Sequence, residues 1–224
     1  MCDRVARVEE PLLVERRPLP VEGRLGRQLA FIVEVDRLKT VLRASTLAAD
    51  ARRENDAEHS WHLALMVPVL AEYADEPVDV GHTIKLVVVH DLVEIYAGDT
   101  PLYDDEARVS QEERELAAAE RLFGLLPDDQ AVEFRALWDE FEARRTPEAR
   151  FAKAVDRLEP NLLNWMAGGG TWGTPGVTGD TVRARTAHIG DASHALGEVM
   201  VSLIDSAERN GWIAAGQQGV VGPA

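Results

Sequence analysis

The chain has 224 residues and one cysteine, Cys2, and its 24 Lys and Arg against 39 Asp and Glu give a net charge of −15. That length supports a sizeable core without disulfide staples, and the acidic balance disfavours nonspecific binding to nucleic-acid polymers and docking on anionic membranes. No apolar run approaches the ~20 residues of a bilayer span, MCDRVARVEE lacks a signal-peptide core, and a lone cysteine fits a reducing compartment, so a cytoplasmic location is expected.

Helical periodicity dominates and no alternating strand pattern stands out, so the expected fold class is all-α, in a single domain. The expected organisation is a flexible arm over 1–23, containing Pro11, Pro18 and Pro20, a domain over 24–212, and a tail over 213–224. From about Arg24 to Ala44 the chain reads as an amphipathic helix, with Leu29, Ile32, Val35, Leu38 and Leu42 on its apolar stripe. A polar loop, ASTLAADARRE, follows. Asn55 and Glu58 then make a capping-box start for a helix through HSWHLALMVPVLAEYA, broken by Pro77. Asp79 is the expected N-cap of a helix running to about Ala97. After GDTPLYDDEA come a charged helix, SQEERELAAAERLFGLL, and another over about Asp128 to Arg145. Thr146-Pro147-Glu148 joins a hydroxyl cap, a proline at the first helical position and an acid in the first turn. It opens a helix through Asp156 toward Met166, with a bend expected near Pro160. GGGTWGTPGVTG lacks the lysine and preceding strand of a phosphate-cradling loop and reads as a connector. A last helix covers about Asp180 to Asn210.

The helix ending in HDLVEIYAGDT is apolar nearly all round, which predicts burial. A buried carboxylate needs a partner, because an unpaired one costs several kcal/mol. In a continuous helix His90 and Glu94 share a face and Asp91 lies ~100° away. A divalent metal ion satisfies imidazole and carboxylate together. His59 and His62 lie one turn apart on the preceding helix, so one or both can face the same interior. Asp156 sits among Phe151, Val155, Leu158 and Leu162, with Lys153 three residues before it. One or both of His59 and His62, with His90, Asp91 and Asp156, come from three helices and leave coordination positions open for water and substrate. His62 suits a supporting or core position, His82 a helix start at the surface, and His188 and His194 share no face.

With LKTVLR, RRENDAEHSWHLAL, HDLVEIYAGDTP and FAKAVDRLEP in this order, the chain resembles the HD-domain phosphohydrolases, and within them the 5′-deoxynucleotidase branch. The likeness covers about Gly26 to Met166 and implies an all-helical HD-domain bundle, one divalent metal ion held by His59, His90, Asp91 and Asp156, and frequent dimer formation. It implies roles in activity for Glu94 and Asp99, phosphate orientation by Arg43, and a substrate pocket lined by Thr100 and Pro101. Family members carry a tryptophan close after that arginine. Here ASTLAAD follows Arg43 and no aromatic residue occurs before Trp61, so the implied discrimination against ribose lacks its aromatic residue.

The chemistry expected is hydrolysis of a nucleoside 5′-monophosphate or another phosphomonoester by metal-activated water. Arg43 and Lys153 would balance charge on the phosphoryl oxygens, and Glu94 or Asp99 would position the water or take its proton. For Lys153 the competing reading is an ion pair with Asp156. A two-metal HD oxygenase needs further histidines between the pair and the final aspartate, and none lies between Asp91 and Asp156. Nucleotide triphosphohydrolases and alarmone hydrolases share the four-ligand pattern, and the latter usually carry consecutive acids where Val93 precedes Glu94. The last alternative is a noncatalytic module that keeps its metal for stability.

Overall fold

The computed structural model describes residues 19–50 and 52–216. Cys2, Pro11, Pro18 and most of the expected arm and tail lie outside the described residues.

The first helix is shorter than its periodicity predicts. α1 covers Gly23–Val35, a 3₁₀ turn covers Asp36–Thr40, and Leu42–Thr46 forms strand β1. Antiparallel to it runs β2, Arg53–Asn55, with Leu42 opposite Asn55 and Thr46 opposite Arg53. A pairing of three to five residues carries no periodicity to read, and tertiary anchoring forms it: Arg53 donates to the carbonyls of Leu42 and Arg43. The buried face of α1 is Gly26, Phe31 and Glu34, with Leu38 beyond it, whereas Ile32 of the expected stripe is 58% exposed. Phe31 sets that rotation by packing edge-on against Phe134, with ring centroids 5.5 Å apart. Glu34 is tolerated inside because Arg37 and the Tyr96 hydroxyl donate to it, at 2.8 and 2.7 Å.

α2, Asp56–Leu70, opens with the predicted capping box: Asn55 accepts from the Glu58 amide, and Glu58 accepts from that of Asn55. α3, Val80–Val89, opens at Asp79, whose carboxylate accepts from the His82 amide. The expected continuation to Ala97 is interrupted. The Leu92 amide reaches back to Val89 and the Glu94 amide to Asp91, a 3₁₀ pattern, before α4 resumes over Glu94–Ala97. Gly98, at φ 77°, ends α4. A four-residue helix, α5, Asp105–Arg108, occurs inside the expected loop, capped by Asp104. α6, Gln111–Phe123, and α7, Asp128–Ala143, follow as expected. α8, Pro147–Met166, starts at Thr146, whose hydroxyl accepts from the Ala149 amide, and contains Pro160.

The last expected helix is three: α9, Gly179–Thr186, α10, His188–Ala192, and α11, His194–Arg209. The break at Ser193 follows from tertiary bonds. Its hydroxyl donates to the Tyr73 carbonyl at 2.6 Å, while Ala192 and His194 bond Asp75. α11 folds back so tightly that a Cβ on Gly197 would meet the Gly190 Cα at 2.7 Å.

α3 and α8 form the centre. α3 packs on α2, α7 and α8, and α8 also packs on α10 and α11. Leu63, Val67, Leu86, Val87 and Val155 have no exposed surface, and each contributes about 1.5–3 kcal/mol of apolar burial. α3 is not buried all round, since Val88 is 44% exposed. The glycine-rich connector inserts Trp172 into this core, 1% exposed, with its indole N–H donating to Asn161 at 3.0 Å.

Candidate metal centre

Three helices bring the expected metal-binding side chains together where α2 begins and α3 ends. His59 lies in the first turn of α2, His90 follows the last residue of α3, Asp91 sits in the tight turn beyond it, and Asp156 is in the middle of α8. Nε2 of His59 lies 3.1 Å from Oδ1 of Asp156 and 4.0 Å from Oδ2 of Asp91. Nε2 of His90 lies 3.0 Å from Oδ1 of Asp91 and 3.5 Å from Oδ1 of Asp156. The far side of each imidazole is fixed. Nδ1 of His90 donates to the Val87 carbonyl at 2.8 Å, and Nδ1 of His59 lies 3.1 Å from Oε2 of Glu159. A carbonyl or carboxylate on the outer nitrogen leaves the inner one as a lone-pair donor, as metal-binding histidines require.

A metal ion fits this donor set. Nε2 of His90 is buried, makes no well-aligned hydrogen bond and faces the Asp91 and Asp156 carboxylates, an arrangement that a shared cation would satisfy. Burial alone would lower the His90 pKa, yet the Asp91 and Asp156 carboxylates raise it to about 10. Burial favours the neutral acids, but His90 and Arg43 hold Asp91 well below the usual carboxylate range, and Lys153, His59 and His90 do so for Asp156. Two ionised carboxylates facing two imidazoles form an N/O site suited to a divalent ion.

Glu94 differs from the expectation in its surroundings. Residues three apart eclipse in a 3₁₀ turn, so Asp91 and Glu94 come to one side and meet Asp56, the first residue of α2. Burial and the Asp91 and Asp56 carboxylates push Glu94 well above its ordinary value, and burial with Asp91 raises Asp56 to about 6. The pair is thus pushed toward the protonated form, whereas Asp91 and Asp156 are held toward the ionised form. Such divergence marks proton-carrying groups off from ligands. Asp99 is raised chiefly by burial.

Arg43 projects from strand β1, not from the end of a helix. Its Nη1 donates to Oδ2 of Asp91 at 2.8 Å and to Oδ1 of Asp56 at 3.1 Å. Nζ of Lys153 lies 2.9 Å from Oδ2 of Asp156, the ion pair weighed above, and 4.7 Å from the Phe141 ring centroid. The Thr100 hydroxyl accepts from Arg114 at 2.9 Å. Arg43, Glu94, Asp99, Thr100, Pro101 and Lys153 all line a cavity of about 530 Å³, together with His90, Asp91 and Asp156. His59 has no exposed surface and stands behind it.

Beside this centre, three buried acids escaped the sequence reading: Glu54, Asp56 and Glu159. Glu159 joins His59 to His62, whose Nδ1 is 2.9 Å from Oε1, and the two histidines hold it at about 2 against a burial that would raise it. Burial and Glu159 raise Glu54 to about 7. The available signal was spacing, since Asp56 precedes His59 by three residues and Glu159 follows Asp156 by three. His82 is partly buried and lies 2.9 Å from Glu140.

Known proteins resemble this chain in sequence and fold. The HD domain family model matches residues 35–196. The 5′-deoxynucleotidase HDDC2 of Xenopus laevis is 34% identical over 132 residues, 58% of this chain and 64% of that protein. Its Bos taurus counterpart is 32% identical over 141 residues, 62% of this chain and 67% of its own length. This chain therefore spans about two thirds of the length of the curated relatives it matches. A crystal structure of a predicted metal-dependent phosphohydrolase from Magnetospirillum magnetotacticum superposes with a TM-score of 0.82 at 52% identity, over 88% of this chain and 98% of that one. The helical core, the His-Asp pair at the end of α3 and the extent of the family match lead to one conclusion: the chain belongs to the HD-domain family.

Proposed function

We propose that the protein is a metal-dependent phosphomonoesterase that removes phosphate from a nucleoside 5′-monophosphate. The observation that carries this reading is the convergence of the buried Nε2 atoms of His59 and His90 on the carboxylates of Asp91 and Asp156, three of the four residues lining the cavity. The names of the relatives point the same way. His59, His90, Asp91 and Asp156 would hold one divalent ion, which supplies Lewis-acid polarisation of the phosphoryl group and acidifies water.

The chain's own residues supply the rest. Arg43 presents a guanidinium to the phosphoryl oxygens from a position already fixed by Asp91 and Asp56. Lys153 adds charge from α8. Glu94, raised well above its ordinary value by burial, Asp91 and Asp56, would hand a proton to the leaving oxygen in its acid form or take one from water in its ionised form, and Asp99 would orient the water. Thr100 and Pro101 wall the substrate.

A single domain over 24–212 in a cytoplasmic homodimer completes the proposal. Among the described residues, no helix is long and apolar enough to cross a membrane. The exposed stripe Trp61, Leu65 and Val69 on α2, 67%, 52% and 60% accessible, supports a subunit contact. The test is a panel of nucleoside mono- and triphosphates with Co²⁺, Mn²⁺ or Mg²⁺. Inorganic phosphate from the monophosphates is expected, and pyrophosphate or triphosphate release, or no release at all, contradicts the reading.

A further inference from the structure

The cavity continues past the metal centre along one face of α8. Lys153, Asp156, Arg157, Asn161 and Asn164 all line it, a run of about 16 Å along the helix axis. Two more cations stand on this far part: Arg108 at the end of α5 and Arg144 just after α7.

In a chain of net charge −15, the pairing of the surrounding cations is informative. Arg43 bonds Asp91 and Asp56, Lys153 bonds Asp156, and Arg185 bonds Asp105 at 2.5 Å. Arg108, Arg144 and Arg157 form no ion pair and donate no side-chain hydrogen bond among the described residues, and Nε of Arg157 is buried. Of the acids that line the cavity here, Glu142 forms no ion pair with these guanidiniums and the others have partners of their own. Asp104 caps α5, Asp105 holds Arg185, and Glu115 accepts from Gln111 at 2.7 Å.

Two further observations show that these guanidiniums crowd one another. Burial, then Arg185 and Arg157, and last Arg144, lower the Arg108 pKa against Asp105, which raises it. Burial, then Arg157, Arg144 and Lys153, push His188 down to about 4, so no imidazolium joins the cluster at neutral pH. Arg144 is moreover the one described non-glycine residue with positive φ, 54°. Glycine is the ordinary residue at such a helix end, and a strained non-glycine backbone persists where a side chain is needed in place.

We propose that this end of the cavity is an anion subsite, so that among nucleoside 5′-phosphates the preferred substrate carries a second acidic group, a phosphate or a carboxylate, besides the ester that is cleaved. Arg108, Arg144 and Arg157 bind that group through charge-assisted, planar contacts. The buried Tyr103 hydroxyl, which lines the cavity beside Trp172, adds a donor. Lys153 and Arg157, four apart on α8, are neighbours at roughly 6 Å, which places the second group about one helical turn beyond the ester being cleaved.

The proposal rests on the phosphomonoesterase reading for the identity of the first group, and a binding test separates the two. Metal-loaded protein is titrated calorimetrically with propylphosphonate, 3-phosphonopropionate and propane-1,3-diphosphonate, none of which can be hydrolysed. At least one doubly acidic probe is expected to bind about tenfold or more tightly than propylphosphonate, and which one does so tells carboxylate from phosphate. The double variant Arg108→Gln, Arg144→Gln should reduce that preference to about onefold. Arg108→Lys with Arg144→Lys should retain part of it, which separates lost charge from misfolding. Equal binding of all three probes, no binding, or a preference unchanged in the Gln variant overturns the subsite. Arg-dependent preference without phosphate release from any monoester leaves the subsite standing and contradicts the phosphomonoesterase reading alone.

Discussion

Nδ1 of His90 donates to the main-chain carbonyl of Val87, 2.8 Å away, and so turns the opposite nitrogen into the centre formed with His59, Asp91 and Asp156. The acceptor belongs to the last turn of α3, so the helix that carries the histidine also fixes its tautomer. Glu159 does the same for His59 from α8. Replacing Glu159 by Gln should keep the fold and lower affinity for a divalent ion about 10–100-fold. Equilibrium dialysis of wild type and variant checks this, and equal affinity would remove Glu159 from the metal-supporting role.

Arg43 stands between two acids and the cavity. Arg43→Ala removes both a phosphate contact and the cation balancing Asp56 and Asp91. The expected result is a fall of about 100-fold or more in kcat/KM for a phosphomonoester, with Arg43→Lys recovering only part because the planar fork is lost. Steady-state kinetics on the three proteins decide it. Full activity of the Ala variant contradicts the role.

His188 supplies the pH prediction. Its folded pKa, about 4, is depressed by burial and then by Arg157, Arg144 and Lys153, while the unfolded chain titrates near 6.5. Between these values the unfolded state binds more protons, so stability rises with pH through this window. The contribution is fully present above about pH 6.5 and is lost as pH falls toward about 4. Melting temperatures measured from pH 7 to pH 4.5 should fall less in His188→Gln than in wild type. A parallel decline in both contradicts the assignment.

Trp172 is the one large side chain of the glycine-rich connector that enters the core, 1% exposed and bonded to Asn161. Trp172→Ala should destabilise by about 3–5 kcal/mol, the usual cost of emptying such a site. Urea denaturation measures it, and a loss below about 1 kcal/mol would mean that the loop does not brace α8.

The caps at Asn55, Asp79 and Thr146 were legible because capping needs only a side chain and an amide three residues apart. The same locality made His59, His90, Asp91 and Asp156 visible as polar intrusions into apolar helices. Long-range causes were hidden. The β1–β2 pair depends on Arg53 reaching across it, and the break at Ser193 depends on Tyr73 and Asp75, far away in sequence. The 3₁₀ turn after His90 regroups Asp91 and Glu94 against Asp56, a contact that an ideal helix does not predict. Glu54 and Glu159 carry no local signal of burial, because it is compensated only by residues from other elements.

The most direct measurement of the central claim is metal stoichiometry by calorimetric titration of Mn²⁺ or Co²⁺ into metal-stripped protein, set beside Asp91→Ala. The account predicts about one ion per chain for the wild type, and neither saturable binding nor phosphate release for the variant. Unchanged stoichiometry and turnover in Asp91→Ala would contradict it.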